Sequence, residues 1–192
     1  MKRPTIKTAP PVERGLPPPL ILALLYFSSI FVGALLLWMP MSHTGAVGFG
    51  DAFFTSASAV TVTGLAVVDT GSDLTVIGQV ILALLIQLGG LGLMAFAVLL
   101  LSALGLPVGL PQRLVLREDL NQRSLGGLAI IVRTIMLVAL VCELAGAAIL
   151  SFVFVPDLGW PMGLWHAVFH SISAFNNAGF ALYSDSLSGY VN

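Results

Sequence analysis

The chain has 192 residues, of which 57% are hydrophobic and only 9% are charged, whereas a soluble domain carries roughly a quarter charged residues. Eight basic and nine acidic side chains leave a formal charge of −1, and there is a single cysteine, so the composition argues against a nucleic-acid partner and excludes an internal disulfide framework or a cysteine zinc cluster. These values indicate an integral membrane protein rather than a soluble enzyme or a disordered linker.

The first apolar run covers residues 20–39. At about 1.5 Å per helical residue, a run of this length measures roughly 30 Å, the thickness of the hydrocarbon core of a bilayer. It is too long for the h-region of a signal peptide, and it ends in Trp38, Met39 and Pro40 rather than in small residues before a cleavage site. We predict a retained membrane-spanning helix after a short tail at 1–19.

Two further apolar runs cover residues 74–101 and 128–155. The second run carries only Gln79 and Gln87 as strongly polar members, and its glycines at positions 89, 90 and 92 predict the close approach of another helix. The third run contains Glu143 near its middle. An ionisable residue inside a span is a candidate functional residue, and we expect it to pair with a polar group on a neighbouring helix.

The placement of charge orients these spans. Every basic residue lies before the first span, between the second and third spans, or just inside the third. The loops after the first and third spans contain aspartates but no lysine or arginine. By the positive-inside rule, the N-terminus and the linker at 102–127 are cytoplasmic, and the protein crosses the cell membrane several times. Residues 107–127 have the pattern of an amphipathic helix on the membrane surface.

The outward segment after the first span is too apolar for a solvated loop. Residues 52–60 read AFFTSASAV, and nine helical residues extend about 14 Å, roughly half a membrane. A segment that enters halfway must return, which predicts a re-entrant loop buried in protein or lining a watery cavity.

The pattern recurs 115 positions later, where HAVFHSISAFNNAGF at 166–180 matches DAFFTSASAVTVTGL at 51–65. The identical pairs are Ala52/Ala167, Phe54/Phe169, Ser56/Ser171, Ser58/Ser173, Ala59/Ala174 and Gly64/Gly179.

The predicted fold class is therefore an all-α integral membrane protein built from repeated units, each a membrane helix, a re-entrant pore loop and a second membrane helix. A cytoplasmic tail at 1–19 precedes a complete first unit at 20–101. A cytoplasmic linker at 102–127 leads to a second unit at 128–192, which lacks its closing helix.

The short stretch after each half-helix is the candidate ion site. A half-helix that enters from outside directs its C-terminus, with a partial charge of about −0.5, at the membrane centre, where a cation is favoured. Glycine tolerates positive φ and can turn successive carbonyls toward one axis, and rings of carbonyls can replace the hydration shell of a cation. We predict a filter without charged side chains, formed by Thr61, Val62, Thr63, Gly64, Asn176, Asn177, Ala178 and Gly179. The four repeated serines are expected to bond backbone groups rather than the ion.

The stretches FFTSASAVTVTGL and HSISAFNNAGF resemble the Trk/Ktr/HKT superfamily of potassium transporters, and are most similar to the Ktr-type membrane subunit. The resemblance covers residues 20–192. It implies uptake of K⁺ through four units that surround one pore, with Gly64 and Gly179 as filter glycines. It also implies a homodimer and a cytoplasmic nucleotide-binding regulatory subunit that contacts the linker. The third and fourth units are missing here, so we expect the N-terminal part of a longer protein, or a short product that needs further units or a second copy to close the pore.

Other interpretations stay open at this point. A secondary transporter of another cation or of a small solute could use re-entrant helices, although two loops that enter from the same side favour a pore. A non-functional truncated fragment is a further alternative, and Na⁺ could move with K⁺ or drive it. We expect no enzyme activity, no catalytic residue, no divalent metal and no cofactor. His166 and His170 stand four apart but have no third ligand nearby other than Asp157 or Asp185, and we expect His166 near the start of its half-helix.

Overall fold

The computed structural model describes residues 18–45, 47–92, 95, 109, 116–117 and 128–190. The predicted N-terminal tail and the predicted amphipathic helix of the linker lie almost wholly outside these residues, as does the end of the second predicted span. The described part of the chain contains no β-strand, only an isolated bridge between His43 and Leu74. The helices whose two ends are both described are α1 (Pro18–Trp38), α2 (Phe49–Val60), α3 (Val76–Gly90), α4 (Leu128–Leu158) and α5 (Trp160–Phe175).

Two of these helices are long and apolar enough to cross a membrane. Their mean hydropathies are 2.5 over Pro19–Trp38 and 2.4 over Ile130–Leu158. Helix α4 continues past the predicted end at residue 155, through Pro156. A proline in the last turn removes only one backbone hydrogen bond, and the helix ends before Gly159, whose φ of 78° and ψ of 169° lie outside the helical region and are open mainly to glycine.

The two short helices differ in length. Helix α2 has 12 residues and α5 has 16, which correspond to about 18 and 24 Å, both less than one hydrocarbon thickness. Helix α5 begins earlier than the repeat suggests because Pro161 favours the first turn of a helix. His166 is therefore well inside α5, and the expectation that it lies near the start of this helix is wrong.

The core forms where the short helices meet the longer ones. Helix α1 packs against α2, α4 packs against α5, and α3 touches α1, α2 and α5, so that α3 joins the two halves. The buried core includes Leu37, Ala59, Ile86, Phe169, Ala178 and Phe180. The last two follow the end of α5, so the segment after this helix is anchored in the core rather than free at the surface.

The outward sides of α1 and α4 are apolar. Phe152 is 82% exposed, and Phe27 and Ile130 are also well exposed. Such a surface is unfavourable in water and is suited to lipid or to further helices.

Candidate ion-binding site

The stretch after α2 and the stretch after α5 follow the same backbone path. We call residues 61–64 the first stretch and residues 176–179 the second stretch. The φ angle is 55° at both Val62 and Asn177, and it is 78° at Gly64 and 75° at Gly179. Residues that match at a spacing of 115 in the sequence thus have matching conformations. Two of the four are non-glycine residues in the left-handed region, which is uncommon and is found at functional sites.

Ser58 and Ser173 fasten the far ends of the two stretches to the helices before them. The N–H of Leu65 donates to Ser58 Oγ at 2.8 Å, and Ser173 Oγ donates to the carbonyl of Phe180 at 2.7 Å. These hydroxyls therefore bond backbone groups, as the sequence predicted, and each closes a loop of seven residues.

A second pair of serines attaches each short helix to the long helix before it. Ser56 Oγ donates to the carbonyl of Ile30, and Ser171 Oγ donates to the carbonyl of Glu143. A glycine faces each hydroxyl, Gly33 in α1 and Gly146 in α4, and a Cβ at either glycine would collide with it. The expectation for all four serines is thus confirmed.

The N–H groups and the carbonyl groups of the two stretches differ in their hydrogen bonding. In each stretch the first three N–H groups donate to carbonyls of the preceding helix, over distances from 2.8 to 3.2 Å. Among the described residues, no carbonyl of either stretch accepts a hydrogen bond. The backbone is thus held through its donors while its acceptors are left available, which is the arrangement needed to bind a cation or water through oxygen dipoles.

The two stretches meet at their glycines. A Cβ built on Gly64 would lie 3.2 Å from the Cα of Gly179, and a Cβ on Gly179 would lie 3.2 Å from the Cα of Gly64.

A polar cleft of about 320 Å³ opens beside this contact, with Asp69 and Tyr183 among its lining residues. Burial raises the pKa of Tyr183, and the neighbouring Tyr190 hydroxyl adds to the shift, so the phenol is neutral in the cleft.

The first residues of the two stretches are held differently. Thr61 Oγ1 donates to the carbonyl of Ala57 one turn earlier, at 2.8 Å. Asn176 is 8% exposed, and its Nδ2 donates to the carbonyl of Ile172 at 2.9 Å and to Gln87 Oε1 at 2.8 Å. Asn176 is thus tied to α3 as well as to its own helix.

Gln87 also donates, through Nε2, to Glu143 Oε1 at 2.7 Å. The expectation that Glu143 pairs with a polar group on a neighbouring helix is confirmed. Sequence reasoning did not identify Asn176 as part of this link, and the only signal was that Gln87 and Glu143 are rare polar residues in apolar runs.

The glycines of α3 make room for the stretches rather than for a spanning helix. A Cβ on Gly89 would collide with the carbonyl of Val60, and a Cβ on Gly90 would collide with the side chain of Asn176. The predicted close approach is therefore present at these two positions, but the groups that approach are the ends of α2 and α5.

The two histidines lie one turn apart in α5. No group of three or more potential ligands gathers among the described residues. His170 Nδ1 lies 2.7 Å from the carbonyl of His166, and the N–H of Leu182 donates to His170 Nε2 at 3.2 Å. Since a carbonyl only accepts, Nδ1 carries the proton and Nε2 is the acceptor. The neutral His170 thus holds the backbone at Leu182, after the second stretch.

The family of the chain follows from comparison with known proteins. The model of the TrkH family, described as cation transport protein, matches residues 24–192. The chain therefore belongs to the TrkH family of cation transport proteins, and it is a membrane protein of the Trk/Ktr superfamily.

Three curated relatives are similar to this chain over most of its length. The Ktr system potassium uptake protein B of Bacillus subtilis (strain 168) is 51% identical over 174 residues, which are 91% of this chain and 39% of that protein. The protein of the same name from Vibrio alginolyticus is 43% identical over 174 residues, 91% of this chain and 38% of the relative. The potassium/sodium uptake protein NtpJ of Enterococcus hirae is 38% identical over 178 residues, 92% and 40% of the two chains.

The chain thus spans about two fifths of the length of these relatives. Their names confirm the resemblance to the Ktr-type membrane subunit and the assignment to potassium or cation transport. They are transporters by name rather than enzymes.

Proposed function

We propose that the chain takes part in K⁺ uptake across the cytoplasmic membrane and supplies two of the pore loops that line the ion pathway. In this proposal the first and second stretches are two quarters of a selectivity filter that coordinates K⁺ through backbone carbonyls. The observation that carries it is that the carbonyls at 61–64 and 176–179 accept no hydrogen bond from the residues that the structure describes, while the first three N–H groups of each stretch donate to the preceding helix.

The geometry supports a carbonyl filter because it combines exposed dipoles with a fixed backbone. Carbonyl oxygens replace the water shell of a cation only where they do not already accept hydrogen bonds. The C-termini of α2 and α5 lie immediately before the stretches and add a partial negative charge. None of the eight residues is charged, so an ion would bind without a strong counter-charge and could leave again.

The proposed topology has α1 and α4 crossing the membrane, with α2 and α5 entering from outside as re-entrant pore helices. The N-terminus and the linker at 102–127 are then cytoplasmic, and the repeated units are 20–101 and 128–192. Two quarters cannot enclose an ion, so the pore is completed by further units or by a second copy. We also propose a homodimer in the lipid bilayer and a cytoplasmic nucleotide-binding regulatory subunit at the linker.

Na⁺ is the second candidate ion. The relative from Enterococcus hirae is named a potassium/sodium uptake protein, and a carbonyl filter can pass or be coupled to Na⁺. Uptake of K⁺ measured with and without external Na⁺, together with Na⁺ uptake itself, distinguishes K⁺ transport alone from coupled or mixed transport.

The filter is tested by Gly64→Asp and Gly179→Ser, made in the gene from which the chain is normally expressed and assayed in cells that lack other K⁺ uptake systems. We expect both variants to lose most K⁺ uptake or its discrimination against Na⁺. Gly50→Asp and Gly50→Ser are the matched controls, because Gly50 is an exposed residue of α2 with open space around it and without a positive φ. Wild-type uptake and discrimination in both filter variants would contradict the proposal.

A further inference from the structure

A chain of polar side chains connects the second stretch to two other helices. Asn176 Nδ2 donates to Gln87 Oε1 at 2.8 Å, and Gln87 Nε2 donates to Glu143 Oε1 at 2.7 Å. Asn176 Nδ2 also lies 3.5 Å from Glu143 Oε1, a longer and weaker direct contact. Asn176 begins the second stretch, Gln87 belongs to α3, and Glu143 belongs to α4. The connection thus joins three segments that are separated by 33 to 89 positions in the sequence.

The carboxylate decides which way the amide of Gln87 points. Glu143 Oε1 accepts a hydrogen bond from Gln87 at 2.7 Å, so the Nε2 end of Gln87 faces Glu143. The Oε1 end is then directed at Asn176, where it can accept. Without an acceptor at position 143, the amide of Gln87 could turn over and present a donor to the donor of Asn176.

The first unit contains no such carboxylate. Ser56 bonds the carbonyl of Ile30 in the same way that Ser171 bonds the carbonyl of Glu143, so Ile30 is the structural counterpart of Glu143. Correspondingly, Thr61 needs no distant partner, because its hydroxyl bonds Ala57 within its own helix. Among the described residues, such a connection therefore reaches the second stretch but not the first.

Asn176 is also confined on its other side. Its Oδ1 is buried without a hydrogen-bond partner among the described residues and packs on Gly90, where a Cβ would collide with it. The side chain is thus held by Gln87 through Nδ2 and by the backbone of α3 through Oδ1. This confinement restricts the backbone of Asn176, the residue at which the second stretch leaves α5.

We propose that Glu143 is a positioning residue for ion selectivity: through Gln87 it fixes Asn176, and thereby the carbonyls of the second stretch. This inference rests on the proposed function of that stretch as part of the filter. A filter discriminates K⁺ from Na⁺ by the size of its cavity or by the number and field strength of its carbonyl dipoles. Both depend on the position of the second stretch, so loosening it admits Na⁺ more readily while a conducting pore is retained.

The test compares Glu143→Ile, which copies the first unit, with Glu143→Gln, whose amide oxygen can still accept from Gln87. The readout is the ratio of K⁺ to Na⁺ uptake in cells, normalised to the amount of protein in the membrane. We expect Glu143→Ile to lower the ratio by about threefold to tenfold, as for the loss of one hydrogen bond, and Glu143→Gln to stay within about twofold of wild type. Gln87→Leu breaks the same connection from α3, so its ratio of K⁺ to Na⁺ uptake should match that of Glu143→Ile. If Glu143→Ile fails to reach the membrane, the ratio in Gln87→Leu tests the inference in its place.

The double variant Glu143→Ile with Asn176→Thr tests whether the effect passes through Asn176. A threonine there can donate to the carbonyl of Ile172, as Thr61 does to that of Ala57, so we expect the ratio to recover at least in part. Leu144→Ala is the control on α4, because Leu144 is the next residue and is 60% exposed.

An unchanged ratio in Glu143→Ile and Gln87→Leu would overturn the inference, as would an equal loss in Glu143→Gln or a double variant no better than the single one. If the Gly179→Ser variant still impairs selectivity in the same assay, only the positioning role has failed. If Gly64→Asp and Gly179→Ser are both without effect as well, the proposed filter has failed.

Discussion

Gly64 and Gly179 face each other where the two stretches meet, although 115 positions separate them in the sequence. Both are in the left-handed region of φ, at 78° and 75°. The space around them is unequal: a Cβ on Gly64 would also lie 2.5 Å from the carbonyl oxygen of Ala178, whereas the nearest atom to a Cβ on Gly179 is at 3.2 Å. The same substitution should therefore have different effects at the two positions.

We expect Gly64→Ala to reduce K⁺ uptake more than Gly179→Ala. Both variants bear the cost of a left-handed alanine, about 1–2 kcal/mol, but only the first adds a collision with a backbone carbonyl, which cannot rotate away. The measurement is the initial rate of K⁺ or Rb⁺ uptake, normalised to protein in the membrane. Equal rates in the two variants, or a lower rate in Gly179→Ala, would contradict this geometry.

The two glycines of α3 give a second prediction. Gly89→Ala should destabilise the protein strongly, because the new Cβ meets the backbone carbonyl of Val60. In Gly90→Ala the Cβ meets the side chain of Asn176 instead. The yield of folded protein should therefore fall less than in Gly89→Ala, whereas the discrimination of K⁺ from Na⁺ should change. The measurement is the fraction of monodisperse protein after extraction in detergent.

Gly50→Ala is the control for these variants, since Gly50 lies in α2 with open space around it. Alanine is favoured over glycine in a helix by up to about 1 kcal/mol, so this variant should be at least as stable as the wild type. A yield of Gly89→Ala equal to that of Gly50→Ala would speak against the close packing of α3 on α2.

Ser58 provides a third prediction. Ser58→Ala leaves the N–H of Leu65 without its acceptor, and the loss of one hydrogen bond costs about 0.5–1.5 kcal/mol. We expect a lower thermal midpoint in detergent and weaker K⁺ discrimination, because the end of the first stretch is released. Ser28→Ala is the matched control, since the Ser28 hydroxyl bonds a carbonyl within its own exposed helix turn. Similar midpoints for both variants would mean that this hydroxyl does not hold the stretch.

A fourth prediction concerns the bond between α5 and α3. Trp165 Nε1 donates to Gln79 Oε1 at 2.7 Å, and Gln79 Nε2 donates to the carbonyls of Thr70 and Leu74, both at 3.3 Å. Trp165→Phe should lower stability by about 1 kcal/mol through loss of one hydrogen bond, detected as a lower thermal midpoint. Trp160→Phe is the control, because Trp160 is 73% exposed. An equal effect of the two substitutions would show that the bond to Gln79 contributes nothing measurable.

Local sequence patterns predict much of the architecture. Apolar runs of about 20 residues indicate spans because length and hydropathy are properties of a single segment. The repeat at a spacing of 115 identifies the short helices, Gly64 and Gly179, and the four serines, because residues in equivalent segments bond in equivalent ways. The end of α4 and the start of α5 were missed because the two units do not have the same loop length.

The contacts between segments were beyond such patterns. The sequence by itself determined that Glu143 needs a polar partner, since an ionisable group in an apolar run is costly when unpaired. Only the tertiary structure decided that the partner is Gln87, that Asn176 completes the connection, and that the ends of α2 and α5 pack on Gly89 and Gly90. Helical periodicity places a residue on a face of its own helix, but which distant segment meets that face depends on how all the helices pack together.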